Sequence, residues 1–408
     1  MLPDLTIPLL IAILLAALLL EPLARLIRIP HSALLALAGF AGSWLLVSQN
    51  IDTGLRWHNF RDLVFHVFLP VLIFNSALRM NLRLLLHNLV PVLLLSVPLV
   101  LLSALITGAL LFTGIHHPAG FPWISALVAG ALLAGTEPFN SNELSPGNAA
   151  PGRLRTLMEG ESLFSDVTTI VLFTLLLGLA TGSGETVAGW RPALAEFLRM
   201  SAGGLAVGTA AGLISMLLTR WLDRFAMISL VIAWSSYLVA ENVFGVSGVM
   251  ATLASGLFTG YAARAARQQQ GLREVQAWWS HLAWISGSML FVLAGATFTL
   301  AMFEQRWLAM LIGTGAVLLT RWLGIRIAAG VTGLLPGQQP IPPGYRTLMV
   351  FGSLRGSVTL ALALSLPTDL EGWWTVQSIA YGVVLFSLLV QAPAVEPLLR
   401  HLRARQKI

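Results

Sequence analysis

Runs of about 20 apolar residues, separated by short polar or basic stretches, recur along the whole chain. Each is long enough to cross a hydrocarbon core of ~30 Å as a helix. The pattern predicts thirteen spans, near 5–20, 32–48, 60–78, 88–112, 122–142, 157–181, 194–219, 226–241, 246–263, 279–301, 306–330, 345–366 and 374–397. Glycine and proline interrupt the fifth and the twelfth. No stretch reads as a sizeable soluble domain, so residues 1–408 form one membrane-spanning unit. The predicted class is an all-α polytopic membrane protein.

Composition agrees. Of 408 residues, 56% are hydrophobic and 10% charged, whereas soluble domains carry about 25% charged residues. The net charge of +6 does not point to nucleic acid, because the basic residues are spread over short loops. With the N-terminus outside, five of the 24 basic residues (Arg56, Arg61, Arg191, Arg199 and Arg306) fall on outer segments. Arg321 and Arg355 lie within spans, and the remaining 17 fall inside. That asymmetry predicts an external N-terminus and a cytoplasmic C-terminus. Tryptophans such as Trp123, Trp221 and Trp373 sit near span ends, as an interfacial belt does. The chain has no cysteine, which excludes thiol chemistry. It has no HExxH, Walker or Gly-x-Ser-x-Gly motif, and nothing calls for a cofactor.

Charges inside spans then stand out, since each costs roughly 2.5–3.5 kcal/mol to insert. They are Glu137, Glu161, Asp166, Arg321 and Arg355. On a helix, Ser162, Asp166 and Thr169 share one face and Ser165 borders it. Glu161 points about 140° away from Asp166, so the two acids have different tasks. Asp166 sits among hydroxyls, an all-oxygen set suited to a hard cation. Glu161 requires a cationic partner.

Two interruptions complete the pattern. In "LLAGTEPFNSN", residues 132–142, Gly135 and Pro138 break the fifth span beside Thr136 and Glu137. In "VFGSLRGSVTLALALSLP", residues 350–367, Gly352 and Gly356 flank Arg355 and break the twelfth. Broken backbone survives at membrane depth only where protein or a water-filled cavity satisfies it. Two broken spans at matching places predict inverted repeats with an ion site between them. The plainer readings are a loop at Glu137–Pro138, if the fifth span stops near residue 134, and a positive-inside loop at Arg355.

"GTEP", "EGESLFSD" and "GSLRG", with the flanking "RLRTLMEG" and "TTIVLF", together resemble the sodium/proton exchangers of the NhaP and NHE type. The order and spacing match over essentially the whole chain. The resemblance implies a thirteen-span NhaA/NHE-like homodimer with two crossing, unwound helices. Core helices at about 88–181 and 306–397 would move against dimerisation helices at about 5–78 and 194–301. It places Thr136, Glu137, Ser162, Ser165 and Asp166 at the ion site, pairs Glu161 with Arg355, and makes Arg321 a core charge. Four departures from the family pattern cluster there: Ser165 for asparagine, Glu137 for aspartate, Asn75 for an acid, and the polar stretch "FNSNELSPGN" after Pro138.

The expected activity is electroneutral antiport of a monovalent cation, Na+ before K+ or Li+, for a proton. Asp166 would hold one or the other. Occupied, it is neutral and can cross the low-dielectric barrier; empty and charged, it is held back. The rival classes are a non-transporting membrane sensor or scaffold derived from an exchanger, and a channel. An enzyme is disfavoured, because no nucleophile–base pair or metal cluster stands out.

Overall fold

A computed structural model describes residues 3–27, 29–49, 61–115, 120–138, 152–182, 190–222, 224–265, 269–335 and 340–404. Helix occupies every predicted span. The elements are α1 (Pro3–Ile27), α2 (His31–Ser48), α3 (Arg61–Arg79), α4 (Leu82–His87), α5 (Leu89–Gly114) and α6 (Trp123–Leu132). They continue with α7 (Gly152–Thr181), α8 (Trp190–Trp221), α9 (Phe225–Asn242), α10 (Gly248–Ala265) and α11 (Gln269–Ala296). The last are α12 (Leu300–Leu334), α13 (Pro343–Phe351), α14 (Ser357–Leu364) and α15 (Trp373–Leu402). Eight of these, among the described residues, are long and apolar enough to cross a membrane.

The span predicted over 122–142 is helical only to Leu132. The stretch 139–148 and the tail 405–408 lie outside the described residues. The break falls where the sequence places it: Pro138 has no N–H to donate and disfavours helix at Glu137. The chain instead extends through Gly135 and Thr136 into β1 (Glu137–Pro138). The twelfth span breaks likewise, α13 leading through Gly352 into β2 (Ser353–Leu354) before α14 begins. The two extended segments pair antiparallel, Glu137 opposite Leu354 and Pro138 opposite Ser353. The two broken helices thus meet through a minimal sheet that satisfies part of their released backbone.

Proline also shapes two intact spans. In α3, Pro70 cannot bond the His66 carbonyl four residues back. The helix widens into a π-turn over Val64–Phe68, and the His66 carbonyl accepts from Trp234 Nε1 at 3.0 Å. In α15, a second π-turn over Ser387–Gln391 precedes Pro393.

Packing divides into two groups. α10 lies between α3 and α8, and α11 against α2. A Cβ at Gly204, Gly208 or Gly212 would run into Ser247, Ala251 or Phe258, so this stripe lets α8 and α10 meet backbone to backbone. The second group joins α5, α6, α7, α12 and α15 around the crossing.

Candidate functional site

The crossing brings four elements to one point: β1, β2, α7 and α12. Asp166 is partly buried on α7. A Cβ built on Gly135 would meet Asp166 Oδ1 at 3.3 Å and Thr169 Oγ1 at 3.4 Å. Both oxygens are shut off from solvent and have no hydrogen-bond partner. A buried acceptor without a donor is costly, typically about 1–3 kcal/mol. Here two face the first interruption. The donor set around them is oxygen only, which suits a hard monovalent cation arriving as substrate.

The neighbouring hydroxyls are ordered. Ser165 Oγ donates to the Ser162 carbonyl at 3.0 Å and shares a 3.0 Å bond with Thr136 Oγ1. Ser162, Ser165 and Thr136 are all buried. Four of the five residues expected at an ion site therefore gather at one place, between the α7 face and the first break.

Glu137 is placed differently. Its Oε1 accepts from Ser357 Oγ and from the Val358 N–H, the latter at 3.2 Å. It caps the start of α14, where an acid also complements the helix dipole. Gly356 must be glycine for this contact, because a Cβ there would strike the Glu137 carboxylate. The methylene that lengthens this acid beyond aspartate is part of its reach from β1 to the half-helix.

The ion pair differs from expectation. Glu161 does not take Arg355; it forms a two-pronged pair with Arg321, whose Nη1 and Nη2 donate to the two carboxylate oxygens, the second at 2.9 Å. Arg321 comes from α12 and faces Glu161 directly. The same guanidinium bonds the Met349 carbonyl through Nε and Nη2, each at 3.2 Å, and reaches Ser353 Oγ. It therefore ties the last turn of α13 to α7 across the break. Arg355 is 2% exposed, and its Nε and Nη1 have no hydrogen-bond partner. Its backbone N–H donates to Ser387 Oγ at 3.2 Å.

A cavity of about 10 Å³ separates these groups, lined by Thr136, Glu161, Ser165, Arg321 and Arg355 together with apolar residues of α5. That is the space of one water molecule. Asp166 lies outside its lining. Among the described residues no three His, Asp or Glu side chains cluster as a multidentate metal site. Sequence reasoning passed over Ser353, Ser357, Ser387 and Gln391. The signal for them is weak, since each is a neutral polar residue in or beside an apolar span.

Comparison with known proteins finds relatives over most of the chain. A family model described as sodium/hydrogen exchanger, transmembrane, matches residues 10–401. The Na(+)/H(+) antiporter ApNhaP of Aphanothece halophytica is 31% identical over 382 residues, covering 92% of this chain and 70% of that protein. The Na(+)/H(+) antiporter NhaP of Pseudomonas aeruginosa is 32% identical over 368 residues, 87% of this chain and 84% of that protein. In three dimensions the chain is similar to the sodium proton antiporter MjNhaP1 from Methanocaldococcus jannaschii. The TM-score is 0.79 at 20% identity, over 96% of this chain and 100% of that one.

Proposed function

The chain belongs to the transmembrane sodium/hydrogen exchanger family, and from that premise we propose that it exchanges one monovalent cation, Na+ in preference to K+ or Li+, for one proton. Membership makes it a multi-pass membrane transporter and not an enzyme. The finer reading concerns Asp166. This carboxylate is the seat that cation and proton occupy in turn, and Thr136, Thr169 and the hydroxyls of Ser162 and Ser165 supply or order neutral oxygen around it.

The observation that carries the reading is the partnerless Asp166 Oδ1 against Gly135. Coupling then needs no covalent step. A seat holding a cation or a proton is neutral and can pass the low-dielectric barrier, while an empty, charged seat is held back. The capping bonds of Glu137 support one exchanging carboxylate per cycle, and hence electroneutrality. The helices at about 88–181 and 306–397 are the moving core. Those at about 5–78 and 194–301 are the scaffold on which two copies pair, with the N-terminus outside. No cofactor takes part.

The test uses liposomes holding the purified protein and a pH-sensitive dye, under an imposed pH gradient. Added Na+ should collapse the gradient at a rate that clamping the membrane potential leaves unchanged. Asp166→Asn should match empty liposomes. Equal flux in Asp166→Asn would overturn the assignment. Na+-dependent thermal stabilisation without flux in the parent protein would instead favour a sensor.

A further inference from the structure

The exchange scheme leaves several buried polar side chains of the last helix unused, and two of them lie in its π-turn. Ser387 and Gln391 open and close the π-turn of α15, and they are 1% and 6% exposed. Ser387 Oγ donates to Gln391 Oε1 at 3.1 Å, so the two act as one unit. Gln391 Nε2 donates to the Phe351 carbonyl at 3.0 Å and to the Ser353 carbonyl at 3.2 Å. Ser387 Oγ accepts the Arg355 backbone N–H at 3.2 Å.

These backbone groups are related. In an unbroken helix the N–H of residue 355 would bond the carbonyl of residue 351, four positions earlier. The unit from α15 holds both ends of that missing bond, Gln391 on the carbonyl and Ser387 on the amide. It also takes the Ser353 carbonyl, which a continuous helix would give to the N–H of residue 357. We infer that Ser387 and Gln391 are positioning residues for ion exchange, holding the second interruption open by occupying the two ends of the helical hydrogen bond that would close it.

The π-turn fits the role, since such wide turns are frequent at functional sites. The consequences reach the ion site through two neighbours. Arg355, whose amide the unit holds, lines the small cavity beside Thr136 and Ser165. Gly356 and Ser357, next along the chain, receive Glu137. A change in the 352–356 backbone therefore shifts Arg355 beside Thr136 and Ser165, and the half-helix start that Glu137 caps, without touching the Asp166 carboxylate.

The clamp itself is independent of which ion is carried; its effect on transport rests on the exchange reading. The experiment therefore has two arms. The first measures amide hydrogen exchange of residues 352–356 in the full-length protein. Gln391→Leu and Ser387→Val should speed it on the order of tenfold, the worth of about one net hydrogen bond, with α8–α10 unchanged. Ser387→Thr keeps the hydroxyl and should restore protection. The second arm measures Na+-driven proton flux. Gln391→Leu and Ser387→Val should raise the Na+ KM several-fold, with Ser387→Thr close to the parent. A merely structural role would lower the active fraction and leave KM alone. Unchanged protection at 352–356 in both variants, or an unchanged KM in an active parent background, would overturn the proposal. A parent protein that moves no cation would count against the exchange reading, and the first arm would still decide the clamp.

Discussion

Where α8 meets α10, two backbones touch because Gly204, Gly208 and Gly212 remove the side chains between them. Where β1 meets β2, two backbones touch because both helices have come apart and pair as strands. The first contact leaves each helix's own hydrogen bonds intact, and Thr209 there folds back on its own helix, donating to the Leu205 carbonyl at 2.7 Å. The second frees carbonyls and amides that side chains must then satisfy: Arg321 on Met349, Gln391 on Phe351 and Ser353, Glu137 on Val358. A low-dielectric surrounding permits either solution. Both regions leave buried hydroxyls without a partner, Ser201, Ser215 and Thr259 in the bundle and Thr169 at the crossing, but only the crossing leaves a carboxylate oxygen, Asp166 Oδ1, unfilled, and the proposed exchange makes that position its seat.

The sharpest way to break the contrast is to remove a charge from the crossing. Asp166→Asn keeps the shape, so exchange should fall to the background of empty liposomes while thermal unfolding stays at or above the parent temperature. A clear loss of stability would mean that the carboxylate holds the fold together. Arg321→Leu comes next. It leaves Glu161 charged and unpaired at 1% exposure, and breaking a buried pair typically costs roughly 3–5 kcal/mol. Removing both partners, as in Arg321→Leu with Glu161→Leu, should recover much of that stability in detergent unfolding curves. Recovery of stability without recovery of transport would separate the pair's two tasks.

The two regions were not equally legible beforehand. Apolar runs disclose helices by length alone, so the glycine-packed bundle could be placed from its hydropathy. The interruptions were also legible, because Gly135 with Pro138, and Gly352 with Gly356, act on the backbone locally. Which arginine would pair with Glu161 was not. Arg321 and Arg355 are both single charges within apolar spans, and the choice depends on how α12 and the broken α13–α14 span turn toward α7. The resemblance places Glu137 at the ion site because it stands where the family pattern has an aspartate. That its Oε1 also reaches the start of α14 follows from the pairing of β1 with β2, which no local pattern encodes. Ser387 and Gln391 were hidden because neutral polar residues carry a far smaller insertion cost than charges.

The bundle offers the opposite test. Gly208→Leu forces a side chain into the Ala251 carbonyl, and overpacking of this kind costs about 1–3 kcal/mol. Thermal unfolding should drop accordingly. The Na+ KM of the folded fraction should stay at the parent value, since Thr136, Ser162, Ser165 and Thr169 all come from α7 and the first break. A raised KM would show that the dry bundle sets the site geometry, and the contrast between the regions would weaken.

The smallest expected effect falls on Glu137. Glu137→Gln keeps a carbonyl oxygen that can accept from Ser357 Oγ and the Val358 N–H, the contacts made by Oε1. What disappears is the negative charge at the start of α14, an interaction with the helix dipole worth about 0.3–1 kcal/mol. A small fall in thermal stability should accompany near-parent Na+ flux, and the exchange should stay insensitive to membrane potential. If flux instead became potential-dependent, Glu137 would be titrating within the cycle and the one-for-one stoichiometry would fail. Glu137→Ala goes further by removing the acceptor from the Val358 N–H, so it should destabilise more than Glu137→Gln. The difference between those two variants measures the cap, and the difference between Glu137→Gln and the parent measures the charge.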